Sequence, residues 1–272
     1  MTVRGKNAAH QCVSFDTNPE FAVELSWHGV SHVGLRREVN QDSYVVIPPV
    51  FAVADGMGGH AAGEVASEAV VRRLAALGGD EAVRRSDLEQ AFAQAIEDIE
   101  LNVEDAELGT GTTVTGLLLD VDAEQPSWTI FNIGDSRVYQ LFKGALSQLT
   151  VDHSVVQHLI DTGQITEAEA EIHPHANVIT RAVGMGEDVT PDYGQLALIP
   201  GQRLLICSDG LTKELTDAGI QHYLSEAATA KEAAEVLVHR SLGNAGRDNV
   251  TVIVIDVHAV GDSKDTREVP VV

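Results

Sequence analysis

Five aspartates stand at the ends of apolar runs in this sequence. Asp42 precedes "SYVVI", Asp55 follows "VFAVA", Asp135 follows "TIFNIG", Asp209 follows "RLLICS" and Asp248 precedes "VTVIVIDV". Each has a small or turn-prone neighbour: Asp55-Gly56, Gly134-Asp135-Ser136, Ser208-Asp209-Gly210 and Asp248-Asn249. Taken singly, each reads as an ordinary turn residue, because the Asp side chain bonds to nearby backbone. Taken together, they put several carboxylates in one small volume if these strand ends converge. Two like charges about 4 Å apart repel by roughly 4 kcal/mol at an effective dielectric of about 20. Such a cluster protonates or binds cations. Oxygen-only donors select hard ions, Mg²⁺, Mn²⁺ or Ca²⁺. The lack of His and Cys at these strand ends argues against zinc. Gly56 gives the same picture a backbone reason: without a Cβ it can approach a cation and offer its carbonyl. Paired ions about 3.5–4 Å apart suit in-line displacement at phosphorus. Arg36 and Arg37, in "GLRREVNQD", offer the planar fork that grips two phosphate oxygens; the other reading is a solvated pair on a loop.

The elements that must position these acids are legible in outline. Strict alternation of Phe21, Val23, Leu25 and Trp27 predicts a half-buried strand. "SYVVI" and "VFAVA" predict two more, separated by a turn at Pro48-Pro49. Ala66, Val70, Leu74 and Leu77 share one helical face, with Gly78-Gly79 as its stop. Leu88, Phe92, Ile96 and Ile99 share another, with Ser86 and Glu89 as a capping box. Strands return in "TVTGLLLDV", "SWTIFNI" and "RVYQL". Residues 152–190 are polar and partly helical, with a second capping box at Thr166 and Glu169. "QLALI" and "RLLICS" are strands, two helices follow around Ile220–Leu224 and after Thr229, and "VTVIVIDV" closes the pattern. Runs of strands and pairs of helices predict an α+β domain with antiparallel sheets.

The 272 residues are 44% hydrophobic, enough for a sizeable core. Eighteen basic residues against 41 acidic ones give a net charge of -23. That argues against a nucleic-acid partner, whose phosphates need Lys and Arg, and against an anionic membrane surface. The two cysteines, Cys12 and Cys207, fit neither a disulfide framework nor a zinc motif. "MTVRGKNAAHQC" lacks the apolar stretch of a signal peptide, and no run approaches the roughly 18 apolar residues of a membrane span. The expectation is a reduced, cytoplasmic, soluble protein. The glycine-rich "VADGMGGHAAGE" lacks the Lys-Ser/Thr of a nucleotide-binding P-loop.

"VNQDSYVV", "VADGMGGHAAGEVAS", "GTGTTVTGLLL", "NIGDSRVYQL", "LTVDHSVVQHLI", "ITRAVG", "LLICSDGL" and "RDNVTVIVID" follow one another here. In that order and spacing, over about residues 25–257, the chain resembles the metal-dependent protein phosphatases of the protein phosphatase 2C family. The "DGMGG" form is similar to bacterial members. The resemblance implies a β-sandwich of two antiparallel sheets flanked by helices on both sides. It implies a catalytic domain over 20–258, with tails at 1–19 and 259–272. It implies hydrolysis of phosphoserine and phosphothreonine by a metal-bound hydroxide, with Mn²⁺ or Mg²⁺ as two core ions and a third, weaker one. By the same resemblance Asp55 bridges the core ions and Gly56 supplies a carbonyl. Asp209 and Asp248 complete one site, Asp42 holds coordinated waters, and Asp135 shares the third ion with Asp209. Arg37 stands where the family places its phosphate-binding arginine, three residues after Gly34, with Arg36 one out of step. Asn249 supports Asp248, and residues 155–182 correspond to a flap. Animal members carry a histidine two residues after the bridging aspartate; here Met57 stands there. The general acid is then His60, His153 or a metal-bound water. The implied partners are phosphorylated proteins and an opposing Ser/Thr kinase, with a monomer as the default. The alternative is an inactive phosphoprotein-binding module of the same fold.

Overall fold

The computed structural model describes residues 1–15, 18–58, 62–79, 82–102, 110–120, 126–170, 172–186 and 190–262. Two sheets lie face to face. One is ordered β1 (Val3–Gly5), β4 (Asp42–Ile47), β5 (Val50–Met57), β7 (Val114–Asp120), β8 (Ser127–Ile133), β11 (Asp192–Ala197), with β6 (Gly111–Thr112) paired to the end of β5. The other is ordered β10 (Ala145–Gln148), β9 (Arg137–Phe142), β12 (Arg203–Cys207), β13 (Val250–Asp262), β3 (Asn18–His32), β2 (Ala8–Phe15). Between them pack Leu25, Trp27, Phe51, Trp128, Ile206 and Ile253. Phe51 meets Trp27 and Trp128 edge-on, with ring centroids 5.4 and 6.1 Å apart.

Helices cover both outer faces. On the first, α1 (Ala62–Ala75) and α2 (Arg85–Asn102) bury Ala66, Val70, Leu74, Leu88 and Phe92 against Ala52, Leu118 and Phe131. On the second, α5 (Asp209–Thr212), α6 (Asp217–Glu226) and α7 (Ala230–Asn244) pack Leu211, Ile220, Leu224 and Leu237 over Leu205, Val252 and Val254. The predicted faces of α1 and α2 are thus the buried ones, because positions three and four apart lie on one side of a helix. Thr216 and Thr229 cap α6 and α7 with their hydroxyls. The capping box at Thr166 and Glu169 forms at α4 (Glu167–Ala170), after α3 (Val155–Asp161).

The structure departs from the sequence reading in five places. Residues 1–15, within the stretch expected as a loose tail, carry β1 and β2; among the described side chains of β2 only Val13 is buried, so edge exposure erased the hydrophobic alternation. The sheets are antiparallel except for β1, which runs parallel to β4. Strand β3 is covered on both faces rather than one, since Glu24 and Ser26 are also buried. Helix α2 begins at Arg85, so Ser86 lies inside its first turn; Asp87 accepts the Arg84 N–H at 2.8 Å, and Glu89 turns to Arg85 at 2.9 Å. Strand β13 runs through position 258 to Asp262. The rest of the expected C-terminal tail, residues 263–272, lies outside the described residues.

Candidate metal centre

One end of the sandwich gathers the acids. Asp42 opens β4 and Asp55 stands directly opposite it near the end of β5. Asp135 sits in the turn between β8 and β9, Asp209 starts α5 just after β12, and Asp248 lies just before β13. Both sheets therefore contribute. Facing carboxylates on neighbouring strands repel, so this register is unfavourable unless something positive is shared.

Asp42 is fully buried. Its Oδ2 accepts the Ser208 hydroxyl at 2.9 Å and the Thr251 hydroxyl at 2.6 Å, which ties the first sheet to the second. Its Oδ1 is buried with no hydrogen-bond partner. Burial raises the Asp42 carboxyl to about 6, against the pull of the two hydroxyls. Burial, then Asp42, Asp209 and Asp135, hold Asp55 well above the ordinary carboxylate range. Burial and Asp209 raise Asp135 to about 7. Asp209 keeps a second buried oxygen, Oδ1, without a partner. Burial would also raise Asp248, but Lys213 and Arg37 outweigh it and hold that carboxyl low.

Close backbone packing sets these positions. A Cβ on Gly56 would collide with the carbonyl oxygen of Gly63, so only glycine fits beside Asp55. Thr112 and Thr113 hold the Asp55 carbonyl through a hydroxyl and an N–H, both at 2.9 Å, and the Thr113 hydroxyl meets Ser136 beside Asp135 at 2.9 Å. Asn249 organises the loop that leads to Asp42. Its amide donates to Val33 O and Val39 O at 2.9 and 3.0 Å, and its Oδ1 accepts the Gln41 N–H at 2.8 Å.

Arg37 reaches across from that loop. Its Nε lies 2.8 Å from Asp248 Oδ1 and its Nη2 3.0 Å from Oδ2, while the side chain stays 53% exposed. Arg36 is exposed. Met57 is partly buried at the end of β5, and His60 lies outside the described residues. His153 is buried and tethered: Nδ1 accepts the Gly134 N–H at 3.1 Å, which leaves Nε2 as the protonated nitrogen, 3.1 Å from Asp192 Oδ2. It clips the Asp135 turn to β11 and has no ring nitrogen free.

Three residues of the site escaped the sequence reading. Ser208 and Thr251 lie within or beside quoted motifs, but only the fold places their hydroxyls on Asp42. Lys213 bonds both Asp209 Oδ2 and, at 3.1 Å, Asp248 Oδ2. The signal for it was its spacing, one helical turn beyond Asp209. Among the described residues no three ligating side chains yet meet at one point as a metal's ligands do. The donor set nonetheless fits a hard cation: it is all oxygen, it carries two buried carboxylate oxygens without partners, and it lies beside a backbone that admits no side chain.

The sequence model described as protein phosphatase 2C matches residues 29–244. The serine/threonine protein phosphatase PstP of Mycobacterium tuberculosis is 40% identical over 244 residues, covering 86% of this chain and 45% of PstP. The chain therefore spans about half the length of that relative. The serine/threonine phosphatase stp of Listeria innocua is 33% identical over 225 residues, covering 80% of this chain and 88% of stp. A crystal structure of the PstP catalytic domain in complex with two manganese ions superposes with a TM-score of 0.77. It is 38% identical and covers 86% of this chain and 99% of that one.

Proposed function

We infer the chemistry of this site from one premise: the chain belongs to the protein phosphatase 2C family. On that premise the chain is a metal-dependent protein serine/threonine phosphatase, hydrolysing phosphoserine and phosphothreonine. The observation that carries this reading is the pair of buried, unpartnered carboxylate oxygens, Asp42 Oδ1 and Asp209 Oδ1, within a group of five acids. Asp55, Gly56, Asp209 and Asp248 would hold two core ions, with Asp42 behind them. Asp135 would share a third with Asp209. The PstP structure supports Mn²⁺, and Mg²⁺ suits the same oxygen donors. Such ions, when bound, supply a water of lowered pKa and neutralise charge on the phosphoryl group.

The chain's own residues orient and shield. Arg37 exchanges its fork on Asp248 for the substrate phosphate, which presents the same bidentate geometry. Asn249 holds the loop that carries Arg37. Ser208 and Thr251 donate to Asp42 Oδ2, favour its ionised form against burial, and leave Oδ1 facing the site. His153 positions the Asp135 turn; with both ring nitrogens engaged it is not the acid, and the leaving oxygen takes its proton from water. The substrates are phosphorylated proteins, opposed to a Ser/Thr kinase, acted on by a cytoplasmic monomer. Among the described residues no helix is long and apolar enough to cross a membrane.

The inactive phosphoprotein-binding module has less support, since the acid set is complete and the relatives are named as phosphatases. Turnover separates the two. With Mn²⁺ the chain should hydrolyse p-nitrophenyl phosphate and a phosphothreonine peptide, and EDTA should stop both. Asp209→Asn should lose more than the roughly 10–100-fold typical of outer metal partners. A wild type that folds and binds Mn²⁺ but turns nothing over would favour the binding module.

A further inference from the structure

Lys213 is the cation inside the acid group that the proposed reaction does not use. It stands at the C-cap of α5, a helix one turn long that begins with Asp209. That spacing folds the side chain back over the acid that opened the helix. The ammonium bonds Asp209 Oδ2 and, at 3.1 Å, Asp248 Oδ2, and 28% of the side chain is exposed. An exposed ion pair at this spacing contributes little. This one differs, because it bridges two acids from different elements 39 residues apart in sequence. Burial works to discharge the amine, and Asp209, Asp248 and Asp55 outweigh it.

Asp209 and Asp248 are the two carboxylates assigned above to one core ion, so this inference rests on that reading. An ammonium between them and a divalent cation between them exclude each other by space and by charge. We propose that Lys213 is a tethered counter-cation: it closes the Asp209–Asp248 position in the metal-free protein, and it must swing out before an ion enters. Metal binding is then an exchange of one cation for another. Three consequences follow. The ion binds more weakly than the bare carboxylates would bind it. The metal-free fold is held together without the ion. The Lys213 amine, engaged when metal is absent, becomes free when metal is present. The exposed part of the side chain gives it a solvent-facing path out. The neighbouring Arg247, which pairs with Glu214 at 2.9 Å and donates to Lys213 O at 2.9 Å, holds the backbone in place as the side chain moves.

The test compares the full chain with Lys213→Met, which keeps length but not charge, and Lys213→Arg, which keeps charge. Mn²⁺ affinity is read by calorimetry and the melting temperature in EDTA. In wild type, acetylation of Lys213 by acetic anhydride is followed by mass spectrometry with EDTA and with saturating Mn²⁺. Lys213→Met should bind Mn²⁺ at least about tenfold more tightly, the effect of removing one competing charge. It should also melt lower in EDTA and recover with Mn²⁺. Lys213→Arg should bind no more tightly than wild type. Wild-type Lys213 should acetylate several-fold faster with Mn²⁺ than with EDTA. Equal affinities for wild type and Lys213→Met, with equal acetylation in both conditions, would overturn the exchange. If Lys213→Met does not fold without metal, the wild-type acetylation decides alone. Mn²⁺ binding by neither protein would instead remove the metal-site reading, a different result from equal binding by both.

Discussion

The molecule buries charge in two ways, and the contrast between them separates scaffold from site. Arg203 on β12 faces Asp256 on β13 in register. Its guanidinium meets both carboxylate oxygens, at 2.6 and 2.8 Å, and its remaining amine donates to the carbonyls of Leu224 and Ala227 at 2.6 and 2.7 Å. One positive group answers one negative group, and the spare donors are satisfied by the backbone at the end of α6. Arg137 does the same with Asp152 and the Tyr139 hydroxyl. At the other place, five carboxylates face two cations, Arg37 and Lys213, and two buried oxygens have no partner. A fold that can balance a partly buried guanidinium so completely has left this end negative. The imbalance is the mark of a site that completes itself with something brought from outside.

Breaking the balanced pair should give a large change in stability from a single substitution. Arg203→Met strands Asp256 in a nearly dry position and should lower unfolding free energy by about 3–5 kcal/mol. Arg203→Met combined with Asp256→Leu should recover most of that, since a packed apolar pair of similar volume is close to neutral. Neither variant should change Mn²⁺ affinity. Urea titrations with calorimetry would decide. A single variant within about 0.5 kcal/mol of wild type, the range of ordinary surface changes, would remove the contrast.

The unbalanced group should show itself through pH, with an effect of similar size from each acid. In EDTA the folded protein holds protons on Asp42 up to about 6 and on Asp135 up to about 7, whereas the unfolded chain releases them near 3.8. Between those values the folded state binds more protons, so stability falls as pH rises from about 4 to about 7. For Asp42 alone, a rise from 3.8 to about 6 corresponds to about 3 kcal/mol across that window. Asp248, held low by Lys213 and Arg37, acts in the opposite sense; its stabilisation is present above the unfolded value and is lost as pH falls below it, outside this window. With saturating Mn²⁺ the slope should reverse if, as proposed, the ionised carboxylates hold the ions. Melting curves from pH 4 to 8 in EDTA and in Mn²⁺ test this; a flat EDTA profile would sink it.

Sequence reasoning reached the unbalanced region more easily than the balanced one. Aspartates at strand ends stand out because a buried strand has no local use for them, and the fold brings Asp42, Asp55, Asp135, Asp209 and Asp248 to one end. The central strands and the two helix pairs were legible because their apolar periods are strong. Strands β1 and β2 were not: they are edge strands, and an edge keeps polar residues on both faces. The bonds from Ser208 and Thr251 to Asp42 join residues 166 and 209 positions apart, and no local pattern encodes such a contact. Lys213 in "LTKELTD" reads as a solvated helix charge until Asp248, just ahead of β13, arrives beside it.

The smallest expected effect asks how far the negative field extends. The surplus at the site is part of a net charge of -23, so the surface around it should favour substrates with basic flanks. Phosphothreonine peptides flanked by Arg and Lys should be hydrolysed with a kcat/KM about three- to tenfold above acid-flanked ones at low salt. The gap should close towards 1 M salt, where the screening length falls to about 3 Å. Arg37→Ala serves as the control. On the proposed role, Arg37 would grip the phosphate common to both peptides, so its loss should slow both by a similar factor and leave the salt dependence of the gap in place. Equal rates for the two peptides at low salt would mean that the acids act only within the cluster. Their charge would then be directed at the ions alone, and substrate choice would have to lie in the shape of the polar segment over residues 155–182.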